Sequence, residues 1–162
     1  MKDKFIILDD VFEDSIRKQI IDFNYNSDDP NHTSIWYNIG ENPIHEKIVD
    51  MAREYFDLSE MTCYELWSNK AALGWHRDKN ERKRESNNVF SYPLCTMVYY
   101  AEVECLMGGE FMTKDIRYIP VTNRLVMFSS EVLHRVKPFN GRRLAITFNT
   151  WKEREYDHDW KN

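Results

Sequence analysis

The sequence predicts an α+β domain, mainly β, on three observations. Two amphipathic helical patterns come first, about seven strand patterns follow, and no repeat or linker divides the chain. With 162 residues, the chain is long enough for one compact domain with a real core. We therefore expect a single domain over 1–162, with helical support in 1–58 and a β core in 59–152.

Each element has its own signal. Phe5–Leu8 is four apolar residues stopped by two acids, a short strand. Asp10 is placed to cap a helix over 11–23, where Val11, Phe12, Ile16, Ile20 and Phe23 recur near helical spacing. Residues 24–33 are dense in turn formers and read as loop. Pro43 suits the first turn of a second helix carrying Ile44, Ile48, Met51, Ala52 and Tyr55 on one side. Strands are expected over 61–67, 94–103, 109–114, 117–119, 124–128, 132–137 and 142–151. The segment 79–88 has no apolar residue and reads as a long exposed loop.

Composition narrows the function classes. The 22 basic and 27 acidic residues leave a net charge of −5, which gives no global reason to expect nucleic acid. Nine Phe, nine Tyr and five Trp beside five Gly and five Pro exclude a disordered or low-complexity chain. Cys63, Cys95 and Cys105 form no CxxC pair, so a reducing compartment without structural disulfides is expected. No stretch reads as a membrane span or signal peptide, and a cytoplasmic protein is expected.

Three side chains suggest a metal. His76 and Asp78 are two apart, so in an extended segment they project to one side. His134 lies 56 residues beyond Asp78 in an apolar strand. Two imidazoles and one carboxylate on one face of an octahedral iron(II) would leave positions for a chelating cosubstrate and dioxygen.

The last strand adds a cation. Asn140-Gly141 signals a two-residue hairpin, which would set His134 opposite Thr147. Along that strand Arg143, Ala145, Thr147 and Asn149 share one face, and Leu144, Ile146 and Phe148 share the other. Arg143 then enters the same space as His134, offset by four residues or roughly 14 Å. A buried guanidinium needs an anion, either a carboxylate ligand or a neighbouring acid such as Glu131 or Glu153.

On these residues the sequence resembles the iron(II)- and 2-oxoglutarate-dependent dioxygenases, in their prolyl-hydroxylase-like branch. The likeness runs from about Tyr64 to Trp151. It rests on Trp75-His76-Arg77-Asp78, Met97-Val98-Tyr99-Tyr100, Gly108-Gly109-Glu110-Phe111 and Asn123-Arg124-Leu125-Val126-Met127-Phe128. It closes with His134-Arg135-Val136-Lys137-Pro138 and Gly141-Arg142-Arg143-Leu144-Ala145-Ile146-Thr147.

The resemblance implies a double-stranded β-helix (jelly roll) with the two amino-terminal helices packed on one sheet. It implies His76, Asp78 and His134 as the catalytic Fe(II) ligands. Arg143 would bind the distal carboxylate of 2-oxoglutarate, and Tyr100 would share it. The stretch from His134 is one residue shorter than that branch leads one to expect, so Arg143 is preferred to Arg142 on the Arg-Leu-Ala-Ile-Thr alignment and on its face. Trp67 stands where many relatives have a Tyr beside the cosubstrate.

The reaction implied is hydroxylation, with O2 as oxidant and succinate and CO2 as coproducts. The intact Asp78 carboxylate argues for this over halogenation. The substrate would be a protein side chain or a small molecule. Two other readings are an alkylated-nucleic-acid demethylase on the same fold and a non-catalytic metal-binding module. Against the first, Asn149 stands where demethylating relatives carry a second Arg; against the second, a structural site has no use for Arg143. The 79–88 loop with Arg82, Lys83 and Arg84 is a candidate substrate lid, and Trp75, Trp36 and Tyr37 are candidate rim or core aromatics.

Overall fold

The computed structural model describes residues 4–26, 34–69, 71–80, 83–84 and 87–154. In chain order the elements are β1 (Phe5–Leu8), α1 (Asp14–Ile21), β2 (Ile35–Asn38), α2 (Pro43–Arg53), β3 (Cys63–Asn69) and β4 (Leu73–His76). There follow β5 (Cys95–Gly108), β6 (Phe111–Met112), β7 (Arg117–Tyr118), β8 (Arg124–Phe128), β9 (His134–Val136) and β10 (Phe139–Trp151). A six-stranded sheet in the order β1-β8-β5-β10-β3-β2 faces a four-stranded sheet in the order β4-β9-β6-β7, and the pairings are antiparallel. This is the jelly roll the sequence led us to expect.

Alternation along β5 and β10 builds two cores at once. Met97, Tyr99, Ala101, Ile146 and Phe148 face the helices and pack on Ile20, Ile48, Val49 and Ala52. Val98, Tyr100 and Ala145 face the other sheet and meet Phe111, Tyr118, Val132 and Val136. Both faces of the larger sheet are therefore covered, which explains its nearly continuous apolar strands. Full burial of a side chain such as Phe148 or Leu125 contributes roughly 1.5–3 kcal/mol.

Several boundaries differ from the expectation. The first helix begins at Asp14, with Glu13 as its N-cap. Asp10 adopts φ +53°, and Asn123 instead holds the preceding turn, accepting from the Phe12 N–H and donating to the Phe12 carbonyl. The second helix starts at Pro43, as expected, and Asn42 caps it by accepting from the Ile44 and His45 N–H groups. β2 and β4 were not foreseen. Each is a four-residue strand at the edge of its sheet, too short to show a period of two. In 79–88, the Arg84 N–H donates to the Asn80 carbonyl and the Asn88 N–H to the Arg84 carbonyl, so helical turn replaces part of the expected loop. Lys83 and Arg84 are half-buried there, and Arg82 lies outside the described residues.

The hairpin at Asn140-Gly141 does not form. A type I′ turn needs positive φ at both central residues. Only Gly141 has it, at +107°. Asn140 and Gly141 lie within β10, at a bulge where Asn140 pairs with Met107 and Arg142 with Glu104. The chain passes between sheets just before, at Lys137 and Pro138, tied by hydrogen bonds to the Glu110 carbonyl and from the Gly109 N–H. His134 is thus not opposite Thr147 but opposite His76, and Thr147 pairs with Val98 and Trp67.

Gly141 approaches its neighbour closely; a Cβ there would sit 2.4 Å from the Cys105 carbonyl oxygen. Gly141→Ala is expected to cost roughly 1–3 kcal/mol, combining the positive φ with that clash. A fall in the urea midpoint at unchanged m-value would show it.

His45, on the buried face of α2, is 1% exposed and lies between the rings of Phe23 (4.8 Å) and Phe148 (5.6 Å). Burial pushes its imidazole down to about 4. Its neutral folded form loses ground as the unfolded chain takes up protons, so its contribution falls from about pH 6.5 toward pH 4. Glu65 acts oppositely: burial raises its carboxyl to about 7, so stability rises as pH falls through that value. His45→Phe removes only the first effect. Relative to the wild type the variant should gain about 2 kcal/mol on going from pH 7 to pH 5, measured by urea unfolding at both.

Candidate metal centre and cosubstrate pocket

Between the sheets opens a cleft of about 420 Å³, with His76, Asp78 and His134 in its lining together with Trp67, Tyr100 and Arg143. β4 and β9 bring the histidines together through the His76–His134 register pair, with ring centroids 4.2 Å apart. Each ring is tethered by a carbonyl two residues before it: Nδ1 of His76 lies 2.7 Å from the Gly74 oxygen and Nδ1 of His134 lies 2.9 Å from the Val132 oxygen. With Nδ1–H donating, both Nε2 lone pairs are left for an ion.

Asp78 completes the group. Its Oδ1 is 3.8 Å from Nε2 of His76, its Oδ2 is 3.8 Å from Nε2 of His134, and one donor atom from each residue falls within 4.8 Å of the others. Those separations are too long for hydrogen bonds but suit three donors around one cation. Asp78 is 9% exposed and its Oδ2 has no hydrogen-bond partner. A buried carboxylate oxygen left bare is costly, and a cation would satisfy it. Burial holds the His134 imidazole below its ordinary range, favouring the neutral form that binds metal. Phe111 stacks on that ring at 5.0 Å and Phe128 meets it edge-on at 4.9 Å, fixing its plane.

Arg143 shows a second unmet demand. The guanidinium lies 4.2 Å from the Phe139 ring centroid, and its Nε and Nη1 are buried without a partner. Burial lowers its pKa. Neither Glu131 nor Glu153 pairs with it. Arg142 is exposed and pairs instead with Glu102 (3.1 Å) and Glu104 (3.8 Å), leaving Arg143 as the inward cation. Tyr100 is fully buried on the same face, its hydroxyl 3.1 Å from that of Tyr118. The histidine and arginine therefore share one space by facing across the sandwich, not by the shared ladder that a hairpin would have given.

Of the aromatic candidates, Trp67 lines the cleft, while Trp75 is 49% exposed and carries Arg135 over its ring at 4.9 Å. Trp36 stacks on Trp151, and Tyr37 packs in the helix-side core against Tyr64. Sequence reasoning missed Tyr118 and the packing role of Phe111; the pairing of Phe111 with Tyr118 in two-residue strands left no periodic signal.

The sequence profile described as the 2OG-Fe(II) oxygenase superfamily matches residues 59–151, more than half of the chain. The chain belongs to that superfamily. It is accordingly an oxidoreductase that works with Fe(II), 2-oxoglutarate and O2, and the bare Asp78 and Arg143 atoms fit the ion and the diacid. No curated protein matches this oxygenase by sequence.

Its fold is similar to that of solved prolyl hydroxylases. Viral collagen prolyl hydroxylase from Paramecium bursaria Chlorella virus-1 superposes with a TM-score of 0.63 at 15% identity, covering 90% of this chain and 88% of that one. A Pseudomonas putida prolyl-4-hydroxylase gives 0.59 at 16% identity, covering 92% of each. A Trichoplax adhaerens prolyl hydroxylase, solved with a hypoxia inducible factor oxygen degradation domain peptide, gives 0.54 at 15% identity over 91% of this chain and 83% of that one. Among the described residues no helix is long and apolar enough to cross a membrane.

Proposed function

We propose that this oxygenase hydroxylates a protein side chain, in the manner of a prolyl hydroxylase, or a small molecule, with succinate and CO2 as coproducts. His76, Asp78 and His134 hold the iron; Arg143 anchors the distal carboxylate of 2-oxoglutarate, and Tyr100 with Tyr118 polarises that end of the pocket. When bound, iron, 2-oxoglutarate and O2 supply the oxidising power. The chain positions them: the two carbonyl tethers aim the imidazoles, Phe111 and Phe128 wall the ligands, and Arg143 sets the length of the diacid.

The observation that carries this reading is the coincidence, in one cleft, of three donors within 4.8 Å and a guanidinium with two buried, unpartnered nitrogens. The fold of the peptide-bound Trichoplax adhaerens enzyme supports a protein substrate. The free cysteines Cys63, Cys95 and Cys105 support a cytoplasmic setting. Adding iron(II) and then 2-oxoglutarate without oxygen tests the reading. A weak visible charge-transfer band is expected, and its failure to appear with both present would overturn the proposal.

A further inference from the structure

One acidic side chain stands on the cleft side of the larger sheet, in the cross-strand row next to the lining pair Trp67 and Thr147, without a role in holding iron or 2-oxoglutarate. Glu65 stands on β3, two residues from Trp67 and on the same face. Register places it in a row that crosses the larger sheet: Trp36 and Glu65 pair, then Glu65 with Asn149, Asn149 with Thr96, and Thr96 with Phe128. The Phe128 ring touches His134, so this row runs beneath the metal end of the cleft. Arg143 lies six residues from Asn149 along β10, roughly 20 Å away. If Arg143 and the three ligands held the two ends of 2-oxoglutarate, the Glu65 row would border the space left for the substrate.

The carboxylate is incompletely answered. Oε2 accepts from the Ser34 hydroxyl at 3.0 Å, and Oε1 from the Trp151 indole at 3.2 Å and the Asn149 amide at 3.4 Å. These are neutral donors, and three of about four lone-pair positions are used. Among the described residues no Lys, Arg or His side chain forms an ion pair with it. Trp36, stacked on Trp151 with centroids 6.2 Å apart, sets an aromatic face beside the acid. Glu65, Trp36, Trp67 and Ser34 are half-buried, not sealed into the core. An acid flanked by indoles is the chemistry that holds an ammonium or guanidinium group.

We propose that Glu65 is a specificity-determining residue that receives a positively charged side chain of the substrate, lysine or arginine, beside the reacting carbon. The proposal rests on the hydroxylase reading above. The upward push that burial gives Glu65 agrees with an anion whose cation has yet to arrive.

The test uses the protein loaded anaerobically with iron(II) and 2-oxoglutarate. Pentapeptides Gly-Gly-Xaa-Gly-Gly, with Xaa lysine, arginine, norleucine or proline, are titrated while the charge-transfer band is followed. The lysine or arginine peptide should shift the band at concentrations where norleucine and proline leave it unchanged. In Glu65→Gln that shift should need roughly tenfold more peptide or be lost, with the 2-oxoglutarate titration unaltered. Equal response to norleucine or proline, no response to either cationic peptide, or wild-type binding by Glu65→Gln overturns the assignment. The comparison of peptides on the wild type needs no variant. A band that never forms with 2-oxoglutarate alone condemns the hydroxylase reading instead, so the two failures are distinguishable.

Discussion

Asp78→Ala is expected to take succinate formation to background while leaving the apo fold intact or slightly firmer. The two parts of that result come from one fact. Asp78 is a buried carboxylate whose Oδ2 has no hydrogen-bond donor. In the apo chain such an oxygen is a liability of roughly 1–3 kcal/mol, which alanine relieves at the expense of a small void. With iron present, the same oxygen supplies the only negative charge among the three ligands. Its loss leaves two neutral imidazoles, which hold a hard ferrous ion poorly. His76→Ala should lose activity as well, without the gain in apo stability, since its Nδ1 is already bonded to the Gly74 carbonyl. Thermal melts without metal and succinate assays with it separate the effects. Turnover like that of the wild type in either variant refutes the ligand assignment.

The second large effect falls on the cosubstrate. Arg143→Ala should raise the KM for 2-oxoglutarate roughly thirtyfold or more, because a buried guanidinium–carboxylate contact is worth about 2–5 kcal/mol when one partner is truncated. Iron affinity should hardly change, since the guanidinium serves the diacid and not the ion. Arg142→Ala is the internal control: it breaks only exposed pairs with Glu102 and Glu104 and should cost a few tenths of a kcal/mol. Equal KM values for wild type and Arg143→Ala would show that the diacid is anchored elsewhere.

Much of this site was legible in the sequence because its signals are local. The spacing of His76 and Asp78, the apolar strand around His134 and the alternation from Arg143 to Asn149 each need only a few residues to read. The alternation held because β10 keeps its side-chain order through 142–150; the irregularity falls on β5, which inserts Ala101 between the partners of Leu144 and Ala145. What was not legible is which strands meet. Asn140-Gly141 carries the same letters in a hairpin and in a bulge, and only the contact of Gly141 with Cys105, far along the chain, decides between them. His134 and Arg143 do share a space, but across the sandwich and not along one ladder. β2 and β4 escaped for a related reason: at four residues each, their partners define them.

The seam between β4 and β9 has a further consequence. Among the described residues only Leu73–Val136 and His76–His134 join these strands, and β4 has no neighbour on its other side. An ion gripped by His76, Asp78 and His134 would therefore act as a rivet, closing the margin of the smaller sheet more firmly than its backbone does. Loading should slow amide hydrogen exchange across 73–78 while leaving the β5–β10 spine untouched, and chelation should reverse it. Filling the site and finishing the barrel wall would then be the same event.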